Sequence, residues 1–237
     1  MDLKNHQTIY GILRWGKRSL SWLCLPHSST MLCSNIHAAR SDILPYLNRR
    51  KPILEIGSGD EAISEAAIKL DLEPYFGVNL VGDAHALPLR NDCIGFVWLG
   101  GVLEHIAAPT RAIKEIYRVL RTDGYVYIET PFLQTVHAEP FDYQRFTLIG
   151  LEELLKSHGF SKVKSGLFSG PSAAFAHIAR TYLALLFSFN HQGFFHFLYH
   201  YILGWVVFPL KYLDTFLTRY DQANIMPFAI YYLGKKG

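Results

Sequence analysis

The chain has 237 residues and a formal charge of +3, with half of its residues hydrophobic and 18% charged. This length suits one domain with appendages, and it allows a full hydrophobic core. The modest charge excludes a basic nucleic-acid-binding arm, and three cysteines without metal-type spacing favour a reducing compartment. The first residues lack the apolar core and cleavage site of a signal peptide, so a cytoplasmic location is expected.

The spacing of apolar residues along the chain predicts a helical lead-in over residues 1–50, followed by alternating strands and helices. The lead-in includes a helix over about 34–47, with Ile43, Leu44 and Leu47 facing inward. Strands are predicted at 53–56, 75–78, 94–99, 125–129, 161–167 and 227–233, and helices at 61–70, 109–120 and 148–158. This alternation predicts an α/β, Rossmann-like fold, in which a mainly parallel sheet has helices on both faces.

Residues 51–170 form the core of this prediction, and residues 226–237 supply its final strand, which is expected to be antiparallel. Residues 171–225 differ in composition, because no Asp, Glu, Lys or Arg occurs from Tyr182 to Leu210. This stretch exceeds the roughly 20 residues that cross a bilayer, but polar residues around Asn190 interrupt it.

The stretch therefore predicts an apolar helical insertion of two shorter helices around a polar break, which lie at a membrane interface. An apolar subdomain packed on the sheet, or a dimer interface, is the alternative.

A glycine turn, Gly57-Ser58-Gly59, directly follows the first predicted strand. Such a turn lets a ligand approach the backbone and leaves amide groups free to bind it. Gly57, Gly59 and Ala62 formally match the dinucleotide-binding pattern G-x-G-x-x-A. Glu55 favours a different ligand, because a carboxylate there suits a cation such as S-adenosylmethionine (SAM) and gains nothing from a pyrophosphate. A glutamate that bonds the turn's own amides is the structural alternative.

Five further motifs follow in a fixed order. They are Asp83–Leu89, Ile94–Leu99, Val102–His105, Glu115–Leu120 and Asp123–Gly124. Together they resemble the class I SAM-dependent methyltransferases, specifically the subgroup with a GDA-x-x-LP loop and a VLEH helix start. Residues 131–147 resemble bacterial members that are encoded with cell-surface polysaccharide or glycolipid genes. The resemblance covers about residues 50–167.

This resemblance implies a SAM site at the carboxyl ends of the strands. The methionine part would be held by Glu55, Gly57, Ser58 and Gly59. Asn79, at the end of the predicted second strand, would meet the ribose, and Asp83 with Ala84 would meet the adenine. Leu99 and Gly100 would contact the cofactor through backbone groups. The chain departs from the family pattern at Asn79, Glu61 and Gly95.

Methyl transfer requires positioning and, for a hydroxyl acceptor, removal of a proton. His105, at a helix start, and His137, after the fifth strand, are the predicted catalytic residues. For His105 the alternative is a hydrogen-bonding residue at the start of the helix. Asp142, Tyr143 and Arg145 are predicted to contact the acceptor. The alternative is that Arg145 pairs with Asp142 to lock the loop.

His85 is expected to be an exposed loop residue, and no metal-ligand cluster is recognised in the spacing. The predicted function is a SAM-dependent methyltransferase that acts on a small or lipid-linked, sugar- or glycolipid-like acceptor. Residues 182–210 would hold it as a peripheral protein on the inner face of the membrane. No nucleic acid is expected as a partner, and a homo-oligomer stays open.

Two other functions remain open at this point. One is a catalytically degenerate methyltransferase fold that binds a membrane or a partner. The other is a nucleotide-dependent oxidoreductase, which needs an acid near position 79, where Asn79 fits poorly.

Overall fold

The computed structural model describes residues 40–41, 43–59 and 63–237. The predictions for residues 1–39 and for the turn residues Glu61 and Ala62 lie outside the described residues. Within them, the predicted helix over 34–47 is represented by α1 (Leu44–Arg49). Ile43 and Leu47 are buried as expected, but Leu44 is half exposed, and its predicted inward orientation is wrong.

The described part of the chain forms one seven-stranded sheet. Its strands are β1 (Ile53–Ile56), β2 (Ala67–Asp71), β3 (Leu80–Val81), β4 (Ile94–Gly100), β5 (Leu120–Pro131), β6 (Phe160–Ser169) and β7 (Ala229–Lys236). They lie in the order β3-β2-β1-β4-β5-β7-β6, with β7 antiparallel to both of its neighbours and the other pairings parallel. The predicted fold class, with an antiparallel last strand, is confirmed.

The second strand lies earlier in the chain than predicted. The expected helix over 61–70 and strand over 75–78 are wrong, because residues 67–71 form β2 and residues 63–66 are not helical. Residues 76–77 instead form a turn before the short β3. The sequence of β2, Ala-Ile-Lys-Leu-Asp, has ordinary helix propensity, but Ala67 and Leu70 gain burial by pairing beside β1. Strand pairing in the core therefore overrides local propensity.

Helices cover both faces of the sheet. On one face α2 (Pro109–Val119) and α3 (Leu148–Lys156) contribute Ile113, Ile116 and Leu151 to the larger core. On the other face Ile43 and Leu47 pack with aromatic side chains from β4, β5 and β7. This double covering explains why every residue of β1 is buried and why β4 reads as a continuous apolar run.

The insertion before the last strand is a helical hairpin. Its first arm is α4 (Pro171–Ser188), and residues 189–190 turn the chain with positive φ angles. The second arm runs through α5 (Gln192–Phe197), a π turn, α6 (Leu203–Val207), a 3-10 turn and α7 (Asp214–Leu217). The predicted pair of helices around a polar break is confirmed.

The hairpin is anchored to the sheet at its base. The carboxylate of Asp214 accepts from the backbone amides of Ser172 and Ala173, at 2.8 and 3.1 Å, and so caps the start of α4. Ala173 and Ala174 are fully buried against Phe228, just before β7. The base of the hairpin therefore has a fixed position beside the carboxyl end of β5.

Candidate active site

The glycine turn after β1 makes a close approach to the loop after β4. Gly57 has a φ of +70°, and a Cβ at this position would lie 2.4 Å from a Val102 methyl carbon. The amide of Gly57 donates to the Leu70 carbonyl at 2.8 Å, and the amide of Gly59 donates to Asp71 Oδ2 at 2.9 Å. The expectation that these amides are free to bind a ligand is therefore wrong, because the end of β2 occupies them.

Glu55 is buried at the end of β1. Its carboxylate accepts from the Ile63 amide at 3.1 and 3.2 Å. Burial raises the pKa of Glu55 to about 7, although the Ile63 hydrogen bond, Lys69 and Arg40 act in the opposite direction. Glu55 therefore accepts from a local backbone amide, as the structural alternative expected. It also lines a cavity, as a ligand-binding role requires.

That first cavity has a volume of about 310 Å³. The lining brings together four of the predicted cofactor residues, Glu55, Gly57, Ser58 and Gly100, with Arg40, Trp98 and residues of α1. The other five predicted cofactor residues are described by the structure but do not line this cavity: Gly59, Asn79, Asp83, Ala84 and Leu99. Ser58 Oγ is buried without a hydrogen-bond partner among the described residues, so the cavity offers a free polar group to a ligand.

Asp71 is the residue that sequence reasoning missed. It ends β2, and one carboxylate oxygen accepts from Gly59 while the other accepts from the Glu73 amide at 3.3 Å. Asn79 instead precedes β3, and its Oδ1 accepts from the Lys69 amide at 2.9 Å. The placement of Asn79 at the end of the second strand is therefore wrong. The signal that could have found Asp71 was an acid directly after an apolar run, in the position that binds ribose in doubly wound folds.

The Asp83 loop is held by side chains of its own and of α2. Asp83 Oδ1 accepts from the amide and the Nδ1 of His85, at 2.8 and 2.7 Å, and His85 Nε2 accepts from the Ala108 amide at 3.2 Å. The amide hydrogen bond is the largest cause of a lowered pKa at Asp83. His85 is only partly exposed and bridges two segments, so its prediction as an exposed loop residue is wrong.

The two predicted catalytic histidines lie next to each other. The rings of His105 and His137 have centroids 4.8 Å apart and meet edge to face. Between them and the core lies Glu104, which is 2% exposed and whose Oε1 is 3.8 Å from His105 Nε2. Burial raises the pKa of Glu104 and lowers that of His137. The three side chains could share a proton, and one ligand atom from each lies within 4.8 Å of the others, as in a cation site.

The predicted acceptor contacts are engaged within the protein. Arg145 donates to both carboxylate oxygens of Asp142 and to the carbonyls of Gln134 and Thr135. The Arg145 guanidinium holds the pKa of Asp142 well below its usual range. This geometry supports the loop-locking interpretation. Tyr143 is half exposed, and its amide donates to the Glu104 carbonyl.

A second cavity, of about 380 Å³, adjoins the first through Gly100, which lines both. Its core side carries Glu104 and His137, and the hairpin contributes His177, Arg180 and Tyr199. Arg180 is buried and donates to the Tyr199 hydroxyl, but its Nε has no hydrogen-bond partner among the described residues. Burial lowers the pKa of His177 to about 4. These hairpin residues were not predicted, because only the tertiary fold brings α4 to this position.

The seven-stranded sheet with its antiparallel β7 has a Rossmann-like methyltransferase fold, and the comparisons with known proteins agree. Residues 53–128, from the start of β1 into β5, match the methyltransferase domain family. This match supports the expected enzyme class and S-adenosylmethionine as its cofactor. The family model covers the glycine turn, the Asp83 loop and the Glu104-His105 turn.

Two solved structures share the fold at low identity. A SAM-dependent methyltransferase from Archaeoglobus fulgidus is 14% identical, with a TM-score of 0.50 over 85% of this chain and 94% of that one. A proposed sarcosine dimethylglycine methyltransferase from Galdieria sulphuraria is 12% identical, with a TM-score of 0.51 over 85% and 84%. An uncharacterised 37.1 kDa transposon protein of Streptomyces fradiae is 34% identical over 79 residues. That segment is 33% of this chain but only 23% of its relative's length.

Proposed function

We propose that this protein transfers a methyl group from SAM, bound in the first cavity, to an acceptor bound in the second. The observation that carries the proposal is the shared wall at Gly100, which lets two ligands meet. Methyl transfer from a sulfonium is an in-line displacement, so its main requirement is that donor and acceptor are held in contact.

The residues of the first cavity fit SAM. Glu55 supplies a buried negative charge for a ligand whose sulfonium and amino groups are cationic, and Ser58 supplies an unpaired hydroxyl. Gly100 allows Trp98 to pack closely against the wall, because a Cβ at position 100 would lie 2.9 Å from Trp98 Nε1. Asp71, beside the glycine turn, is the acid that we assign to the ribose hydroxyls in place of Asn79.

The histidine pair supports an acceptor that loses a proton. His137 lines the second cavity and His105 is in ring contact with it, so we assign removal of the acceptor's proton to this pair. Arg180, buried in the same lining and without a carboxylate partner among the described residues, favours an acceptor that also carries negative charge.

The hairpin supports a lipid-linked acceptor taken from a bilayer surface. Residues Gln192–Leu217 are long and apolar enough to cross a membrane, with a mean hydropathy of 1.3 and only 22% of the segment buried. Large side chains on both arms are at least 40% exposed, among them Tyr182, Leu185, Phe189, Phe197, Trp205, Val206 and Phe216. An apolar surface of this extent favours a bilayer interface, where aromatic side chains are enriched. The hairpin also walls the second cavity, so a lipid tail and its headgroup could be bound together.

A non-enzymatic, degenerate methyltransferase fold is the second candidate. One observation favours it: the amides of Gly57 and Gly59 are already occupied by the end of β2. This candidate predicts the same membrane contact without SAM affinity.

The test is calorimetric titration of the detergent-solubilised chain with SAM and with S-adenosylhomocysteine. Micromolar binding is expected, and Ser58→Ala should weaken it while Ser157→Ala, on an exposed helix end, should not. A folded protein that binds neither compound would favour the non-enzymatic candidate. Flotation with neutral phosphatidylcholine vesicles tests the membrane part, in which Trp205→Ser combined with Phe189→Ser should reduce the bound fraction severalfold.

A further inference from the structure

We infer that Glu104, His105 and His137 form a binding site for a divalent transition-metal cation, such as Zn²⁺, in the wall of the second cavity. One carboxylate and two imidazoles come from two loops at the carboxyl ends of β4 and β5. Donor sets of this kind bind zinc and iron with coordination positions left for a substrate.

The hydrogen bonds of both histidines leave Nε2 available. His105 Nδ1 lies 2.8 Å from the Phe141 carbonyl, which can only accept, so Nδ1 carries the proton and Nε2 has the lone pair. His137 Nδ1 is flanked by Asp142 Oδ2 at 3.3 Å, the Thr135 carbonyl at 3.4 Å and an Arg145 nitrogen at 3.4 Å. Arg145 already donates to Asp142 and Thr135, so we assign the proton to Nδ1 here too. Metal-binding histidines are oriented in this way by outer oxygen atoms.

Glu104 completes the set with a preoriented carboxylate. Its Oε2 accepts from the Thr130 hydroxyl at 3.2 Å, whereas Oε1 faces His105 Nε2 at 3.8 Å. Among the described residues, no lysine or arginine lies within ion-pair distance of this 2%-exposed carboxylate. Arg145 acts on this carboxylate only from beyond ion-pair distance, so burial still disfavours its ionised form, and a bound cation would stabilise that form.

The spacing is compatible with a shared cation. Nitrogen and oxygen ligands of zinc lie about 3.0–3.4 Å from one another, given bond lengths of about 2.1 Å. The three ligand atoms lie within 4.8 Å of one another, so rotations that move each by about 1 Å would close the set. His105, at the end of a 3-10 turn, and His137, on a loop, are both partly exposed, so the solvent side of each ring leaves space for a small rotation about its Nδ1 hydrogen bond.

The chemical role of this cation rests on the proposed function, whereas the site itself does not. With a cation bound, the two imidazoles would be ligands rather than bases, so removal of the proton would pass from the histidine pair to solvent, because the cation would lower the pKa of the acceptor hydroxyl. Its oxygen then forms the bond to the methyl carbon as the carbon–sulfur bond breaks, and sulfur keeps the electron pair in S-adenosylhomocysteine. The metal site therefore narrows the acceptor to a compound with a hydroxyl at the methylated position.

The experiment titrates the full, EDTA-stripped chain in nonionic detergent with Zn²⁺ by calorimetry and with Co²⁺ by visible absorption, without SAM. A site that depends on the cluster should lose affinity at least tenfold in His105→Gln and in His137→Gln. His196→Gln is the matched control. The rings of His196 and His200 stack 6.0 Å apart on the hairpin, so this pair is a second place where the protein could chelate zinc. Circular dichroism melting of each variant verifies that it is folded.

Zinc binding that survives both cluster substitutions, or that His196→Gln abolishes, would overturn the inference, as would a folded wild-type chain that binds neither metal. A parallel SAM titration in EDTA separates the two proposals. If the metal binds and SAM does not, the metal site stands and the proposed methyl transfer fails. If SAM binds and neither metal does, the proposed methyl transfer stands and the metal site fails.

Discussion

The buried Glu55 carboxyl makes SAM affinity depend on pH in a defined direction. Its pKa is raised to about 7, so the carboxyl is neutral in most molecules below that pH and ionised above it. The ionised form attracts a cationic ligand, and SAM binding should therefore weaken as the pH falls. At about pH 5.5 only about 3% of a group with this pKa is ionised, so if the neutral form binds SAM about 10- to 100-fold more weakly, affinity falls about 8- to 24-fold relative to pH 8.5.

Glu55→Gln isolates this effect. A charge-assisted hydrogen bond is worth about 1.5–3 kcal/mol, so the variant should bind SAM about 10- to 100-fold more weakly at about pH 8.5. At about pH 5.5 the two proteins should bind almost equally, because wild-type Glu55 is then neutral. Glutamine keeps a side-chain oxygen for the Ile63 amide, which preserves the local hydrogen bond.

The assay is calorimetric titration with SAM at four values between about pH 5.5 and pH 8.5. The ratio of the variant's dissociation constant to that of the wild type removes the titration of SAM itself. Glu153→Gln, an exposed carboxylate on α3, is the control and should not change the ratio. A ratio that stays constant across the pH range would refute the reasoning, because Glu55 would then act without its charge.

Three other results are expected. In calorimetric titrations, Asp71→Ala should weaken SAM binding about tenfold or more, and Asn79→Ala should weaken it less than about threefold. Equal losses of affinity in the two variants would favour Asn79 as the ribose contact. Gly57→Ala should lower the free energy of unfolding by about 1–3 kcal/mol, because a φ of +70° is strained for alanine and the new Cβ would collide with Val102. An unchanged midpoint of urea unfolding would contradict this expectation. Asp142→Asn should remove about 1.5–3 kcal/mol of stability at neutral pH. Because the folded pKa of Asp142 is depressed, that stability exists above its unfolded pKa of about 3.9 and is lost on acidification, so acid melting curves of wild type and variant should converge.

The sequence was sufficient for the local structure at the carboxyl end of β1. The strand Ile53–Ile56, the glycine turn and Glu55 are contiguous, and local rules connect them: a buried apolar run, a turn that needs positive φ, and an acid beside it. The same holds for the hairpin, whose uncharged composition and polar break predict two apolar helices.

The position of β2 could not be predicted in this way. Residues 67–71 have a composition that helices and strands both accept, and only pairing with β1 makes them a strand. Because of this misplacement the sequence analysis expected Asn79 at the ribose, whereas Asp71 is the residue that we propose there. An error in one element thus propagated to the functional assignment, because a residue's role at a sheet edge depends on where its strand ends.

Sequence alone determined the fold class, the methyltransferase resemblance and the pairing of a glycine turn with Glu55, because each depends on neighbouring residues or on a repeated pattern. Only the tertiary structure decided which distant side chains meet. It joined His105 to His137 across two loops, and it placed His177 and Arg180 of the hairpin in the wall opposite them. Packing of the sheet and hairpin fixes these approaches, and no local pattern in the chain encodes the distance between two loops.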